Sequence, residues 1–317
     1  MKKKFLFLVV FPVIVFFFTF CGKKYDDVKF GISLIPKETE TFFVFNAKRA
    51  RDNGLFEVLN SLKITNNPSL KTGKKELSEF FKETGIDFKK SLNYLIVTDI
   101  SHQGFILSLT YQEERLVSYL KEKKLLKDKS SYNEYNIYAL QNFGPNFNDQ
   151  HIIFIEDSII TIGSDVFVKK VTDNFEGKGD NILSKENMKN NLKKIDDRSI
   201  LWGIADFQQN YEKIAKDFKI SSPLNTDDFR KFLFYIDLQN SLIKGQFILV
   251  SKDSSNNKNI VDMLNGFKAI LSSGKKELSK ILDNINFNSK KDEIIMDFSI
   301  PHNDFRKIVL SKVNKYK

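Results

Sequence analysis

The side chains that most often carry chemistry are scarce in this sequence and stand far apart. Its three histidines are His102, His151 and His302, and its single thiol is Cys21. A zinc site or a nucleophilic-cysteine site needs several such groups at ligand spacing, as in the two histidines of H-E-x-x-H on one helical face. The sequence contains no such motif. We therefore predict no metal site and no cofactor.

Two serines stand one helical turn before a lysine. Ser118 precedes Lys121, and Ser273 precedes Lys276. In penicillin-binding enzymes this S-x-x-K spacing lets the lysine assist deprotonation of the serine. In a chain with 50 lysines and arginines such pairs arise by chance. We predict no catalytic residue and a protein that is not an enzyme, although an envelope hydrolase whose site is assembled in space remains an alternative.

Adjacent aspartates occur three times and could be drawn as calcium ligands. They are Asp26-Asp27, Asp196-Asp197 and Asp227-Asp228. None has the alternating oxygen spacing of an EF-hand loop. An interpretation as residues that favour nearby helix starts fits them better.

The first twenty residues have the pattern of a secretion signal. Lys2, Lys3 and Lys4 are followed by an uncharged run from Phe5 to Phe20. A short cationic region before an apolar stretch directs export, with the positive charges left on the cytoplasmic side. As a helix, the run would measure roughly 24 Å at about 1.5 Å per residue, which is short for a hydrocarbon core of about 30 Å. We predict that residues 1–20 are a signal peptide.

Cys21 stands where the signal would be cut. The segment Phe18-Thr19-Phe20-Cys21-Gly22 resembles the lipobox of bacterial lipoproteins in the relaxed form found among spirochaetes. It departs from the usual pattern, because Phe20 replaces a small residue and Phe18 replaces leucine. The alternatives are an ordinary signal cut elsewhere and an uncleaved anchor.

The resemblance implies a chemical modification and a location. Cys21 would be the lipid attachment site, acylated by chains such as palmitate, and its partner would be membrane lipid. At about 0.8 kcal/mol per buried CH₂, several chains hold a protein firmly to a bilayer. The expected location is the cell envelope, on the periplasmic face or the outer surface of a bacterial membrane. Nucleic acid is not an expected partner despite the net charge of +10.

The remaining chain predicts an α+β fold of antiparallel β-hairpins packed with amphipathic helices. Of 317 residues, 41% are hydrophobic and 28% charged, which excludes a disordered chain and a multi-span membrane protein. Short runs such as 92–100 and 104–111 predict paired strands. Intervening stretches such as 47–62, 113–126 and 259–282 carry apolar residues at helical spacing.

The order of elements predicts two similar halves. We assign residues 21–38 to a lipidated tether, 39–178 to a first α+β half and 179–317 to a second. The strand at 200–205 would repeat that at 41–45, and Gly245 before an apolar run would repeat Gly104. A chain built of hairpins and helices can also look self-similar without duplication.

This arrangement behind a lipoprotein signal is similar to poorly characterised exported bacterial proteins of the DUF3352-like kind. The stretch Ile35-Pro36-Lys37-Glu38-Thr39 before the first strand is the most specific part of the resemblance. It supplies no catalytic residues. We predict a membrane-anchored lipoprotein with a non-enzymatic binding or structural role, whose partner is an envelope protein or an apolar ligand. A carrier of an apolar ligand or lipid, lined by some of the 31 phenylalanines, is the alternative.

Overall fold

The fold is organised around one antiparallel sheet of twelve strands. The structure is a computed structural model, and it describes residues 27–56, 79–98, 104–141, 149–207, 228–274 and 276–304. The strand order across the sheet is β11-β12-β10-β9-β8-β1-β2-β3-β7-β6-β5-β4. The strands are β1 Phe42–Asn46, β2 Leu92–Thr98, β3 Gly104–Leu109, β4 Leu126–Tyr132, β5 Tyr135–Leu140, β6 His151–Ile155, β7 Ile159–Gly163, β8 Leu201–Asp206, β9 Phe229–Gln239, β10 Leu242–Ser251, β11 Ile285–Lys290 and β12 Glu293–Pro301.

Helices cover both faces of the sheet. They are α1 Val28–Leu34, α2 Ala47–Asp52, α3 Phe88–Ser91, α4 Glu113–Glu122, α5 Asp165–Phe175, α6 Glu186–Leu192, α7 Asn257–Gly274 and α8 Lys276–Leu282. Residues 79–84 are also helical. No helix among the described residues has both the length and the apolar character needed to cross a bilayer.

Alternate residues of each strand enter different hydrophobic clusters, because successive side chains point to opposite faces. In β6, Ile153 and Ile155 belong to a cluster with α1 and α5, which we call the first face. Ile152 and Phe154 belong instead to a cluster with α4, which we call the second face. Helix α7 packs on the second face farther along the sheet, against β10 and β12.

The centre of the sheet is the pair β1–β8. Phe42 lies opposite Ile204, and Phe45 lies opposite Leu201. The rings of Phe42 and Trp202 meet edge to face with centroids 5.7 Å apart, and both side chains are fully buried. Strands from the first part of the chain lie on one side of this pair and strands from the later part on the other. The division of the chain into two similar halves stays a prediction, but their strands share one sheet.

The predicted α+β class with antiparallel hairpins is confirmed. The hairpin predicted at 92–100 and 104–111 corresponds to β2 and β3, which pair directly. One detail needs correction. The predicted tether at 21–38 already contains α1, whose Val28 and Ile32 are buried in the first-face core. The helical stretch predicted at 259–282 corresponds to α7 and α8, and residue 275 between them lies outside the described residues.

Candidate polar binding pocket

A pocket of about 370 Å³ opens beside the turn between β9 and β10. Three parts of the chain meet there: the residue after α2, the end of β9 with its turn, and the residue after β12. The lining residues are Asn53, Leu238, Gln239, Asn240, Ser241 and His302. Five of these six side chains are polar, so the pocket is suited to hydrogen bonding.

The turn itself is a two-residue hairpin. Gln239 pairs with Leu242, which leaves Asn240 and Ser241 as the turn residues, with φ of 50° and 62°. Positive φ at both positions matches the twist of the flanking strands, and asparagine tolerates this conformation well. The turn therefore holds two polar side chains at a fixed place on the pocket rim.

Asp237 lies behind the pocket and is bonded on both oxygens. Arg49 of α2 donates from Nε to Oδ1 at 3.2 Å and from its terminal NH2 group to Oδ2 at 2.6 Å. The side-chain amides of Asn53 and Gln239 donate to the same carboxylate at 3.3 and 2.8 Å. Only 2% of the Asp237 side chain is exposed. We call these four residues the Asp237 cluster.

Arg49 and Asn53 are held in place by the helix they belong to. Asn46 begins α2 as its N-cap, and its side chain accepts a hydrogen bond from the backbone N–H of Arg49. Asn53 ends the helix, and its side-chain amide also donates to the carbonyl oxygen of Leu238 at 2.7 Å. A short helix thus fixes one wall of the pocket against β9.

The carboxylate of Asp237 determines how the two amides are oriented. An ionised carboxylate only accepts hydrogen bonds, so the NH₂ groups of Asn53 and Gln239 must face it. Asn53 Oδ1 and Gln239 Oε1 have no hydrogen-bond donor among the described residues. Each remains available as an acceptor.

The cluster is electrostatically balanced. Burial raises the pKa of Asp237, but hydrogen bonds from Arg49 and Gln239 outweigh it, so the pKa lies below that of an ordinary aspartate. The hydrogen bond to Asp237 raises the pKa of Arg49. One positive and one negative charge therefore compensate each other directly behind a pocket whose other polar groups are amides, a hydroxyl and an imidazole.

His302 closes the pocket on the side of β12. Its backbone N–H donates to the carbonyl oxygen of Ser241 at 2.9 Å, and its Nδ1 lies 3.3 Å from the same oxygen. Because a carbonyl oxygen accepts, this contact favours the tautomer with the proton on Nδ1. The Nε2 atom is then a further acceptor.

A second charged group, which we call the Glu40 network, lies at the opposite end of the central strands. Glu40 accepts hydrogen bonds from Lys185 and from Lys231, the latter at 2.7 Å, and Lys231 also approaches Asp206 at 3.4 Å. Burial raises the pKa of Glu40, but the two lysine hydrogen bonds outweigh it and the pKa is lowered. This network binds β1, β8 and β9 together.

Five phenylalanines form a row on the second face of the sheet, which we call the phenylalanine row. Phe247 stacks on Phe232, Phe234 and Phe298 with centroids 5.6 to 5.9 Å apart, and Phe43 continues the row beside Phe234. The described phenylalanine side chains of this row are buried or half-buried. Their rings form a continuous apolar surface across adjacent strands of the sheet.

The residues singled out in the sequence are not brought together. Cys21 and His102 lie outside the described residues. His151 lies in β6 with a buried Nδ1 that has no hydrogen-bond partner in the described chain, and only His302 lies at the pocket. No group of three or more histidine, cysteine, aspartate or glutamate residues in the described ranges could hold a metal.

The serines of the two serine–lysine pairs make the following contacts among the described residues. Ser118 lines a shallow pocket of about 260 Å³ beside three glutamates, and Lys121 is not part of its lining. The hydroxyl of Ser273 donates to the carbonyl of Ile270 in its own helix at 2.7 Å. Among the aspartates, Asp27 begins α1 and Asp196 accepts from the backbone of Arg198, both local roles.

Asp237 was missed in the sequence, although a signal was present. It stands inside the apolar run Phe232 to Leu238, where an aspartate would face a hydrophobic environment. A buried carboxylate needs a positive partner and further donors. That partner, Arg49, lies 188 residues away, and spacing alone could not identify it.

Comparison with known proteins identifies the fold. No family model matches the chain, and no curated protein matches it in sequence. Crystal form III of TP0453, a Treponema protein, is similar with a TM-score of 0.51 and 9% identity over 88% of this chain and 97% of the other. Crystal form I of TP0453 gives a TM-score of 0.50 and 8% identity over 88% and 96%. At such identity the likeness concerns the fold alone.

Proposed function

We propose that this chain is a lipid-anchored, non-enzymatic binding protein of the bacterial cell envelope. The observation that carries the binding role is the polar pocket at the β9–β10 turn. Its acceptor atoms on Asn53 and Gln239 are oriented by a buried carboxylate and have no donor in the described chain. Polar groups held in place beside an open pocket are the usual features of a ligand site.

The envelope location rests on the N-terminal sequence. Lys2 to Lys4, the apolar run to Phe20 and the cysteine at position 21 fit an exported, lipid-modified chain. The similarity in fold to TP0453 from Treponema is compatible with an origin among bacteria that use relaxed lipoboxes. The first described helix begins at Val28, so six residues, 22–27, would separate an acylated Cys21 from it.

The lipid anchor is tested by replacing Cys21, whose thiol would carry the lipid. In bacteria fed a clickable palmitate analogue, the unmodified chain should become labelled and should partition with membranes. Cys21→Ser should lose the label and move to the soluble fraction, because serine offers no thiol for diacylglyceryl transfer. Gly22→Ala is the matched control, since it changes the neighbouring residue and leaves the thiol, and it should keep the label. Labelling of Cys21→Ser at the level of the unmodified chain would contradict the anchor.

A second candidate function is the carriage of an apolar ligand, and the phenylalanine row favours it. Rings of Phe232, Phe247 and Phe298 stack across three adjacent strands and present a continuous aromatic surface. Native mass spectrometry of the purified chain should reveal a co-purifying lipid if this surface holds one. Chain that carries no lipid and takes up no fluorescent fatty acid would exclude the carrier role.

A further inference from the structure

We infer that the pocket at the β9–β10 turn binds a neutral, polyhydroxylated ligand, a sugar unit of a glycan. This inference rests on the binding role proposed above and names its ligand class. It follows from the hydrogen-bonding groups that the pocket leaves available, from their charge and from the rigidity of the chain that carries them.

The available groups are mostly acceptors. Asn53 Oδ1, Gln239 Oε1 and His302 Nε2 have no donor among the described residues, whereas the NH₂ groups of both amides are already engaged by Asp237. The side chains of Asn240 and Ser241 make no hydrogen bond in the described chain and can both donate and accept. Sugar hydroxyls, which also donate and accept, match such a set. An aliphatic ligand that covered these groups would leave them without hydrogen-bond partners, which is unfavourable.

The charge balance selects against ions. The guanidinium of Arg49 is paired on two nitrogens with Asp237, so it offers no strong attraction to an anionic ligand. Among the residues that the structure describes, the lining includes no lysine, arginine, aspartate or glutamate. A phosphate or a carboxylate would therefore be desolvated in the pocket without a counter-charge, which is unfavourable. A neutral ligand avoids this cost.

The groups are also held rigidly before any ligand arrives. Asn240 and Ser241 stand on a two-residue turn, and Ser241 is fixed further by the backbone hydrogen bond from His302. Asn53 and Gln239 are fixed by Asp237. Fewer rotatable groups need ordering on binding, which leaves more of the interaction energy as affinity. The volume of about 370 Å³ lies at the lower end of ligand pockets, and a small sugar unit suits it.

The test uses the full chain purified in detergent and isothermal titration calorimetry. The probes are glucose, N-acetylglucosamine, its β-1,4-linked trimer and glucose 6-phosphate. At least one neutral probe should bind, and the phosphate should bind no more tightly than glucose. Tighter binding of the trimer than of the monomer would identify a polymeric glycan as the source, and equal binding would identify a free sugar.

A variant pair makes the test specific to the pocket. Asn240→Gly with Ser241→Gly removes both rim side chains, and glycine keeps the positive φ of the turn. We expect binding of the neutral probe to weaken at least about fivefold, since the hydrogen bonds of two side chains are lost. Asn133→Gly is the matched control, because Asn133 also has a positive φ, of 51°, at another hairpin turn. It should bind like the unmodified chain.

Three results would overturn the inference. They are no binding of any neutral probe, equal affinity in the double variant, and tighter binding of glucose 6-phosphate than of glucose. Thermal unfolding of all variants shows whether the fold is intact. The palmitate experiment on Cys21 does not depend on this pocket, so failure of the sugar site is distinguishable from failure of the envelope anchor.

Discussion

The Asp237 cluster and the Glu40 network, at opposite ends of the central strands, compensate a negatively charged carboxylate in different ways. In the Asp237 cluster, a carboxylate that is 2% exposed receives four hydrogen bonds, two of them from one planar guanidinium. In the Glu40 network, a carboxylate that is 35% exposed meets two separate lysine ammonium groups. The first is a buried, directional arrangement, and the second is a partly hydrated one.

The difference shows where the molecule depends on precise partners. A buried carboxylate is tolerable only while every partner is present, because each one offsets part of the loss of water. A half-exposed carboxylate can replace a lost partner by water, so its network tolerates change. The end of the sheet that carries the pocket is therefore the more demanding of the two. This end also carries two acceptor atoms, Asn53 Oδ1 and Gln239 Oε1, that have no hydrogen-bond donor among the described residues.

The largest effect is expected from Asp237→Ala. The change leaves the Arg49 guanidinium and two amides without their acceptor, and we expect a loss of about 3 kcal/mol in the free energy of unfolding, measured with urea. The lower end of the usual 3–5 kcal/mol applies because 34% of the Arg49 side chain is exposed and can be hydrated. Asp180→Ala, which breaks an exposed pair with Lys37, is the control and should change stability by less than about 0.5 kcal/mol. A loss for Asp237→Ala as small as for the control would refute the contrast between the two groups.

An intermediate effect is expected on acidification. The pKa of Asp237 is lowered by folding, so its contribution is complete above the unfolded value of about 3.9 and disappears as the pH falls through the lower folded pKa. The stability difference between the unmodified chain and Asp237→Asn should therefore be constant from pH 8 to 5 and should shrink below about pH 4. Urea titrations at a series of pH values measure it. A difference that already closes between pH 8 and 5 would mean a raised pKa and would contradict the assignment.

The smallest effect is expected from Glu40→Gln. The glutamine keeps the shape but loses the charge that attracts Lys185 and Lys231, and we expect a loss of about 1 kcal/mol, the upper value for partly exposed ion pairs. Raised salt should diminish this loss, because exposed charges are screened. Glu186→Gln, which affects only an exposed contact with Lys189, serves as the reference. If Glu40→Gln cost as much as Asp237→Ala, burial would not be what separates the two groups.

The hairpins of the sheet could be predicted because their strands are apolar on at least one face. Residues 92–100 and 104–111 carry this signal, and they form β2 and β3. The strand β4 could not be predicted in the same way. Its sequence from Leu126 to Tyr132 is mostly charged and polar, and five of its side chains in a row, Lys127 to Ser131, are exposed. It lies at the edge of the sheet, where pairing with β5 on one side replaces burial as the reason for the strand.

The sequence predicts that Gly245 repeats Gly104, but the two glycines have different surroundings in the structure. A Cβ on Gly104 would meet Phe167 of α5, on the first face of the sheet. A Cβ on Gly245 would meet the ring of Phe298 and the carbonyl oxygen of Tyr235, on the second face. The two glycines make room for different rings on opposite faces. A shift of one residue exchanges the faces of a strand, and sequence similarity does not report it.

The pocket could not be predicted, because its groups come from separate parts of the chain. The sequence alone indicates only a turn through Gln239-Asn240-Ser241 between two apolar runs. The meeting of Asn53, Gln239 and His302 depends on α2 packing beside β9 and on β12 pairing with β10. None of these side chains belongs to a sequence motif, and only the tertiary fold brings them together in one pocket.

The joint between β1 and β8 has a consequence for how the polypeptide can be divided. Cleavage of the backbone at the exposed bend at 177–179 would place β1 and β8 in different fragments. Each fragment would then have an unpaired edge strand, with exposed backbone amides and carbonyls beside Phe42 in one and Trp202 in the other. An unpaired edge strand of this kind tends to pair with a strand of another chain. The fragments should therefore recombine when mixed, which makes the protein a natural candidate for a split reporter, and either fragment made by itself should precipitate.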